Sequence, residues 1–455
     1  MSRHHRPSGP NATRRQLIQL GVVAAATGLA LPGGRAQAQT PVVASDLSGT
    51  FRGMSWETEA EMRKWFRHTE AFFSTRYPKM TPEIEYGIPW ADYWTKLQTA
   101  VAAGSQLDMC WMHDTRNQSY ADLGLITSLD DYIAANPPQD WPQAYYPTQV
   151  DAFKYNGSQY AIPYDWATGG FYVNLDVLAR AGVELPTEDW TFDQLQDAGL
   201  KIKASAPNPD EAWGFYLPVT SWNTEWVVRS FGGRQITADP LTSHFDDPNT
   251  IAAYQFLFDA INTTKIMPNP SAMQGLGLDQ QTAFASGMLG LMSSLNDEAF
   301  VMDEIVGDKA KWTVAPTPKG KDGRYQFVGG SGFSIPKTAA FPDIAYEYIK
   351  FMATDPANLP ITAQMGSMFV SRMDAWEHAL PDPSQVDPEA FKHVFFTLGA
   401  RDGTVPLYFP GYQQWDSSIY VRYMDQLWAG ATTDVAAVCQ QIHEETQALF
   451  ASMGG

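Results

Sequence analysis

The chain is 455 residues long, 44% apolar and 13% aromatic, with two cysteines and a formal net charge of −19. That acidity argues against nucleic acid and anionic membrane surfaces as partners, both of which are repelled over a Debye length. Two cysteines without CxxC or Cys/His spacing suggest no metal site. At the amino terminus, Arg14 and Arg15 precede a Leu17–Leu31 run rich in Ala, Gly, Val and Leu, and Ala36-Gln37-Ala38 follows as a small-x-small pattern. The run is too short and too weakly apolar for a spanning helix, which needs about 20 apolar residues. Residues 1–38 therefore read as a signal peptide of the twin-arginine type, cleaved after Ala38, with a general secretory signal as the alternative. No cysteine near the cleavage point offers a lipid-attachment site, so the mature chain is expected to be soluble in the periplasm. Its 417 residues exceed what one core usually supports and predict two domains, and the loss of five arginines and no acid moves the charge to −24.

Along the mature chain, Thr58-x-x-Glu61 is a capping box for a helix with Met62, Trp65, Phe66, Thr69, Phe72 and Phe73 on one face. Trp65 is assigned to the core, and Tyr77-Pro78 ends the helix. A second amphipathic segment, Trp90 to Ala103, stops at Gly104. Leu107 to Met112 has strand length, broken only by Asp108, and a polar patch His113-Asp114-Thr115-Arg116-Asn117 follows. Asn136-Pro137-Pro138 is a surface turn. Strand-like pieces at Tyr160–Tyr164 and Gly170–Asn174 then alternate with helices at Leu175–Ala181 and from Thr191-x-x-Gln194. The alternation predicts an α/β fold with mainly parallel sheets covered on both faces. On such sheets ligands sit at the carboxyl ends of strands, and the patch after Met112 is one such end. Cys110 and Cys439 lie far apart in apolar sequence and are expected to be buried free thiols.

Four segments in order resemble the extracellular solute-binding proteins of ABC sugar importers, the family that includes maltose-binding proteins. Ala102-Ala103-Gly104-Ser105-Gln106-Leu107-Asp108-Met109 with Trp111-Met112-His113-Asp114 is the first. Tyr155-Asn156-Gly157-Ser158-Gln159-Tyr160-Ala161-Ile162-Pro163-Tyr164-Asp165 through Tyr172-Val173-Asn174 is the second. The third is Ala283-Phe284-Ala285-Ser286-Gly287-Met288-Leu289-Gly290-Leu291-Met292, and the fourth Pro316-Thr317-Pro318-Lys319-Gly320 with Gly329-Gly330-Ser331-Gly332-Phe333-Ser334-Ile335. The resemblance implies a two-lobed periplasmic-binding-protein fold joined by hinge crossings, with lobe one at about 40–163 plus 314–355 and lobe two at about 164–313 plus 356–455. It implies a solute held in the interlobe cleft, permease subunits of an importer as partners, no cofactor and no catalytic residues.

A sugar offers hydroxyls at its rim and C–H groups on its faces, so its site needs planar aromatics and bidentate polar groups. Trp56, Trp111, Trp166, Trp222 and Trp226 fall where loops should leave strands, and Trp222 and Trp166 have polar neighbours in Asn223, Thr224, Glu225, Asp165 and Thr168. Each is either a stacking platform or core. Asp114 is a candidate for the hydroxyl rim or for capping the next helix. Asp165 either meets solute or pairs with a backbone amide, Arg116 either meets solute or is solvated, and His113 is read as a structural hydrogen-bond donor. Gly329, Gly330 and Gly332 beside Ser331 permit close backbone approach. Trp415, after Tyr408 and Tyr412, is a late aromatic that could reach the cleft. Where many relatives place Gly-Pro-Trp, this chain reads Ser294-Leu295-Asn296-Asp297, so a stacking ring is absent and Asn296 takes its place, which favours a mono- or disaccharide-like solute over a long maltodextrin. Two rivals remain. An aromatic, acidic cleft also suits a quaternary ammonium compound or a polyol. A carbohydrate-active enzyme would need an acid/base pair, although HExxH, G-x-S-x-G and a phosphate loop are absent from the sequence.

Overall fold

The computed structural model describes residues 45–354, 370–375 and 386–453, apart from 58, 239, 271–274 and 276. The expected signal at 1–38, Thr58 of the expected capping box and the side chains of Met62, Trp65 and Phe66 lie outside the described residues. The first layer begins with strand β1 (Ser48–Met54), helix α1 (Glu59–Arg76) and strand β2 (Lys79–Glu85). The helix returns the chain so that β2 pairs in parallel with β1, from Ser48 opposite Lys79 to Met54 opposite Glu85. Helix α2 (Trp90–Ala102) buries Tyr93, Trp94, Leu97 and Val101, the i, i+4 face that its sequence pattern requires. Gly104, with φ +69°, then turns the chain, and β3 (Met109–His113) pairs in parallel with β1.

Asp108, the polar break in this segment, is fully buried. Its carboxylate accepts the Arg52 N–H at 2.8 Å and the Ala340 and Phe341 N–H groups at 2.8 and 2.9 Å. It ties two distant stretches of backbone to the start of β3, and a buried carboxylate with that many donors is stable where an unpartnered one is not. Helix α3 (Asp114–Asp122) follows directly.

The chain leaves this sheet after β4 (Ile162–Pro163) and starts the second one at β5 (Ala167–Asn174). Asn174 caps α4 (Leu175–Ala181) by accepting the Val177 N–H at 3.1 Å, and the Thr191–Gln194 capping box opens α5 (Phe192–Ser205), as the sequence predicts. Strand β6 (Trp213–Tyr216), helix α6 (Ser221–Ser230), and strands β7 (Leu289–Leu295), β8 (Trp312–Ala315) and β9 (Gln326–Gly329) complete most of the second layer. The return to the first sheet is β10 (Ser331–Ser334), followed by α7 (Pro342–Thr354); β11 (Gly403–Thr404) and α8 (Val435–Met453) lie in the carboxyl-terminal part.

The first sheet runs β2-β1-β3-β10-β4, and the second runs β11-β9-β5-β7-β6 with β8 also on β5. The architecture is two-lobed α/β, but the pairing is mixed where mainly parallel sheets were expected. Strand β10 is antiparallel to β3 and β4, and β5 is antiparallel to β7, β8 and β9. Each antiparallel pair involves a strand on the path between the sheets, which the chain traverses in both directions. Strands β8 and β9 also place 314–329, expected in lobe one, in the second sheet; the return falls at Gly330. Both faces of the second sheet are covered: Phe171 and Val173 of β5 enter one core, with Leu195, Phe215 and Leu291, and Tyr172 enters another, with Met292 and Phe395. Cys110 and Cys439 are both buried and unbonded. Among the described residues no helix is long and apolar enough to cross a membrane.

The return crossing is held from two sides. Gly330 N–H donates to Asp114 Oδ2 at 3.1 Å, and the Asp114 N–H donates to the Gly330 carbonyl at 3.1 Å. The outgoing crossing supplies Asp165, whose carboxylate accepts both the N–H and the hydroxyl of Ser331. A Cβ at Gly330 would lie 2.6 Å from both the Asp165 carbonyl and its Oδ1. Gly330→Ala is therefore expected to force the two crossings apart at a cost of about 1–3 kcal/mol, read as a lower urea midpoint; an unchanged midpoint would refute this account of the clamp.

Candidate functional site

Strand β1 ends beside the start of β3, with Met54 opposite Cys110, and the chain beyond it carries Trp56 to 6.4 Å from the His113 ring at the carboxyl end of β3. Around them the tryptophans of α2 form an aromatic wall. Trp56 is half-buried and packs edge-on against Trp90 at 5.1 Å and Tyr93 at 5.0 Å, and at a tilt against Trp94 at 5.5 Å between ring centroids. Trp90 closes on the His113 ring at 5.1 Å and is 43% exposed. Edge-to-face packing suits the ring quadrupoles and leaves aromatic surface uncovered. Trp90 and Trp94 were missed in the sequence because their i, i+4 spacing on α2 reads as a core stripe; only Pro89, which starts the helix at Trp90, marks the first of them as an end residue.

Acids cluster at the His113 end of this wall. His113 Nδ1 lies 2.9 Å from Asp114 Oδ1. Burial lowers the affinity of the imidazole for a proton, but the neighbouring Asp114 outweighs it and leaves His113 above its ordinary pKa, with Asp165 adding to the effect. Burial likewise raises Asp165 against the two Ser331 hydrogen bonds and the pull of His113, which favour the anion. Asp297, at the end of β7, is pushed up to about 7, first by burial and then by the charges of Glu298 and Asp165. These carboxylates are thus close enough to resist sharing negative charge.

On the other side of the wall, α3 meets the segment before Tyr412. Gly411 N–H donates to Ser119 Oγ at 3.3 Å, and Gln413 Nε2 donates to the Thr115 carbonyl. Here Arg116 lies with its guanidinium 5.2 Å from the Trp94 ring centroid, and its Nε is buried without an acceptor, as is Trp94 Nε1. Burial lowers the Arg116 pKa, while Tyr120 and Asp416 act to raise it. A cavity of ≈ 460 Å³ lies between Trp94, Arg116 and Ser119 on one lobe and Gln413 and Gln414 on the other. Unpaired polar groups at a junction between lobes are where a polar ligand recovers hydrogen bonds that the protein leaves unmade.

The residues singled out in the sequence divide into two groups. The structure gathers Trp56, Asp114, Arg116, Asp165, Gly330 and Ser331 around the crossover, although Asp114 is fully buried and spends Oδ2 on Gly330. Trp222 is half-buried and packs on Phe327 at 4.9 Å in the second lobe. The others are interior. Trp111 is fully buried and edge-on to Phe333 at 4.5 Å, because β3 is covered on both faces. Trp166 is 1% exposed and stacked on Tyr146 at 3.6 Å. Trp415 is fully buried, with Nε1 donating to Thr446 Oγ1 at 2.8 Å. Asn223 accepts from Trp226 Nε1 at 3.1 Å. Asn296, fully buried, accepts the Thr168 N–H at 3.0 Å and donates to the Trp166 carbonyl at 3.2 Å, so its amide joins β7 to the start of β5. Among the described residues no group of His, Cys, Asp and Glu could hold a metal ion.

A family model described as bacterial extracellular solute-binding protein matches residues 58–359. A maltotriose-binding protein of Pyrococcus abyssi is 28% identical over 187 residues, 41% of this chain and 38% of that protein. A diacetylchitobiose-binding protein of Streptomyces coelicolor is 24% identical over 288 residues, 61% of this chain and 64% of its own. The chain thus spans less than two thirds of the length of these relatives. Among solved structures, an ABC substrate-binding protein of Listeria monocytogenes in complex with cycloalternan superposes with a TM-score of 0.75 at 20% identity, covering 88% of this chain and 98% of that one.

The raised Asp297 pKa has a definite sign. Between its ordinary 3.8 and about 7, folded Asp297 holds a proton that the unfolded chain has released, so its contribution to stability falls as pH rises through that window. Asp297→Asn is expected to melt above the parent protein at pH 8, with the gap narrowing toward pH 5; a gap equal at both pH values would contradict the assignment.

Proposed function

Because the chain belongs to the bacterial extracellular solute-binding protein family, we propose that it captures a small sugar-like solute between its lobes and delivers it to the permease subunits of an ABC importer. The observation that carries this reading is the wall of Trp56, Trp90 and Trp94, joined through His113 to the acids of the crossover. Trp56 and Trp90, the rings of that wall that are not buried, offer faces for the C–H surface of a pyranose, and Asp165 and Asp297 offer acceptors for its hydroxyls. The sugars bound by the relatives named above support the same class of solute. The lobes divide at the crossovers, so among the described residues lobe one comprises 45–163 and the return segment Ser331–Thr354, and lobe two comprises most of the rest. Closure by rotation about these crossings captures the solute. The chain acts without catalysis or cofactor, and its solute site is served by lobe closure alone. The same rings and acids also suit a quaternary ammonium ion, so choline and glycine betaine belong in the screen described next.

Calorimetry with monosaccharides, disaccharides, choline and glycine betaine is expected to find a ligand among the sugars, and X-ray scattering a smaller radius of gyration when it is bound. Trp56→Ala and Trp90→Ala should each weaken that ligand by on the order of 1–3 kcal/mol, roughly five- to a hundredfold. Variants that lose melting temperature but keep full affinity would return the tryptophans to the core.

Export is the second part of the proposal: residues 1–38 direct the folded chain through the twin-arginine route to the periplasm. Arg14→Lys with Arg15→Lys should leave unprocessed precursor in the cytoplasm. Unchanged export of the double variant would assign the general secretory route instead.

A further inference from the structure

A second cavity at the lobe junction, of ≈ 500 Å³, contains none of the tryptophans and two arginines, Arg229 and Arg234. Both belong to the second lobe, one at the end of α6 and one in the turn after it. Arg229 Nη1 donates to Thr404 Oγ1 at 2.8 Å, and its guanidinium lies 5.2 Å from the Tyr325 ring centroid. Its Nε is buried with no acceptor. Arg234 Nη1 donates to the Gly233 carbonyl at 2.6 Å. Among the described residues neither guanidinium has an ion-pair partner within 4.0 Å, in a chain with 50 acids and 31 basic groups. Burial lowers the Arg229 pKa; Glu225 opposes this, and Arg234 adds to it by repulsion. Both arginines are half-buried, and two like charges on one cavity wall repel unless something anionic joins them.

The acids nearby do not fill that role. Glu225 is 4% exposed and accepts the Gln235 N–H at 3.2 Å. Burial pushes its pKa up to about 7 in spite of both arginines, so near neutral pH it is only partly charged. Asp151, in the opposite wall, is paired with Lys154 at 2.7 Å. Two further lining atoms are buried without a partner, a donor and an acceptor. Tyr408 is 5% exposed with its hydroxyl unpartnered, and Gln118 of α3, from the first lobe, has a buried Oε1 without a donor.

We propose that this cavity takes an oxyanion carried by a hydroxylated solute, with Arg229, Arg234 and Tyr408 donating to the acid and Gln118 accepting from a neighbouring hydroxyl. The inference rests on the carbohydrate reading above and narrows its solute to an acidic sugar. A carboxylate and a phosphate satisfy the same donors, since both accept the forked hydrogen bonds of a guanidinium. The volume is within the range of sites for ligands of that size.

The test is calorimetry on the mature protein with paired probes: D-glucose and D-glucuronate, D-galactose and D-galacturonate, and D-glucose 6-phosphate. An acidic member is expected to bind about tenfold or more tightly than its neutral partner, the worth of a charge-assisted hydrogen bond. Preference for a uronate identifies a carboxylate, and preference for the 6-phosphate identifies a phosphate. The acid-to-neutral ratio should fall toward one in Arg229→Gln and in Arg234→Gln; if the first fails to melt cooperatively, the second decides. Neutral sugars that bind as tightly as their acids, or a ratio unchanged in the folded variants, would overturn the oxyanion site and leave the carbohydrate reading standing. Failure of every sugar, neutral and acidic, would overturn both.

Discussion

One glycine peptide, held between two carboxylates, sets the geometry of the lobe junction. Gly330 is the single residue between β9 and β10, and hence between the two sheets on the return path. Asp114 takes its N–H, Asp165 takes the next one, and no side chain fits between them. Backbone donors at a crossing between two cores cannot all be paired within either sheet, and an unmade hydrogen bond there costs about 1–3 kcal/mol. The two aspartates supply the missing acceptors. Asp114 also opens α3, and Asp165 lies two residues before β5, so the clamp orients α3 and β5 and with them both walls of the cleft.

The acids of this protein therefore differ in how far hydrogen bonds offset their burial. Asp108, Asp114 and Asp165 each accept N–H groups from distant parts of the chain and serve to join elements. Asp297 and Glu225, at the lobe junction, are desolvated with less compensation, and their proton affinities rise into the neutral range. Groups held in that condition are unfavourable for folding, and their clustering around the cleft is the pattern expected where a fold retains polar atoms for a ligand. The same division applies to the cations. Arg324 lies among Glu188 and Asp402, and Arg372 pairs with Asp374, whereas Arg229 and Arg234 stand over a cavity.

The aromatic residues show how misleading a local signal can be. The chain has fifteen tryptophans, and Trp111, Trp166, Trp226, Trp312 and Trp415 are among its largest fully buried side chains. Burying such a ring releases more apolar surface from water than any other residue, so a core takes a tryptophan wherever one fits. Polar neighbours in the sequence did not mark the exceptions. Asn223 and Asn296 are polar yet interior, because Asn223 is matched by Trp226 one turn on in α6 and Asn296 by Thr168 from a distant segment.

Much of this protein was determined by sequence that acts locally. Helices at Leu175–Ala181 and from Thr191 were legible because a cap is decided by residues three or four apart. The glycine at the end of α2, the two-lobed α/β class and the family resemblance were legible too, since they rest on periodicity and on the order of short motifs. Tertiary structure alone decided the mixed pairing of the sheets and the return at Gly330. It also decided that Asp108 is a buried bridge, that Trp90 and Trp94 belong to the wall, and that Trp111, Trp166 and Trp415 do not. The physical reason is the same in each case. Burial, hydrogen-bond satisfaction and charge depend on which distant residues arrive, and for Asp108 and Asn296 the deciding partners are more than 100 residues away in the chain.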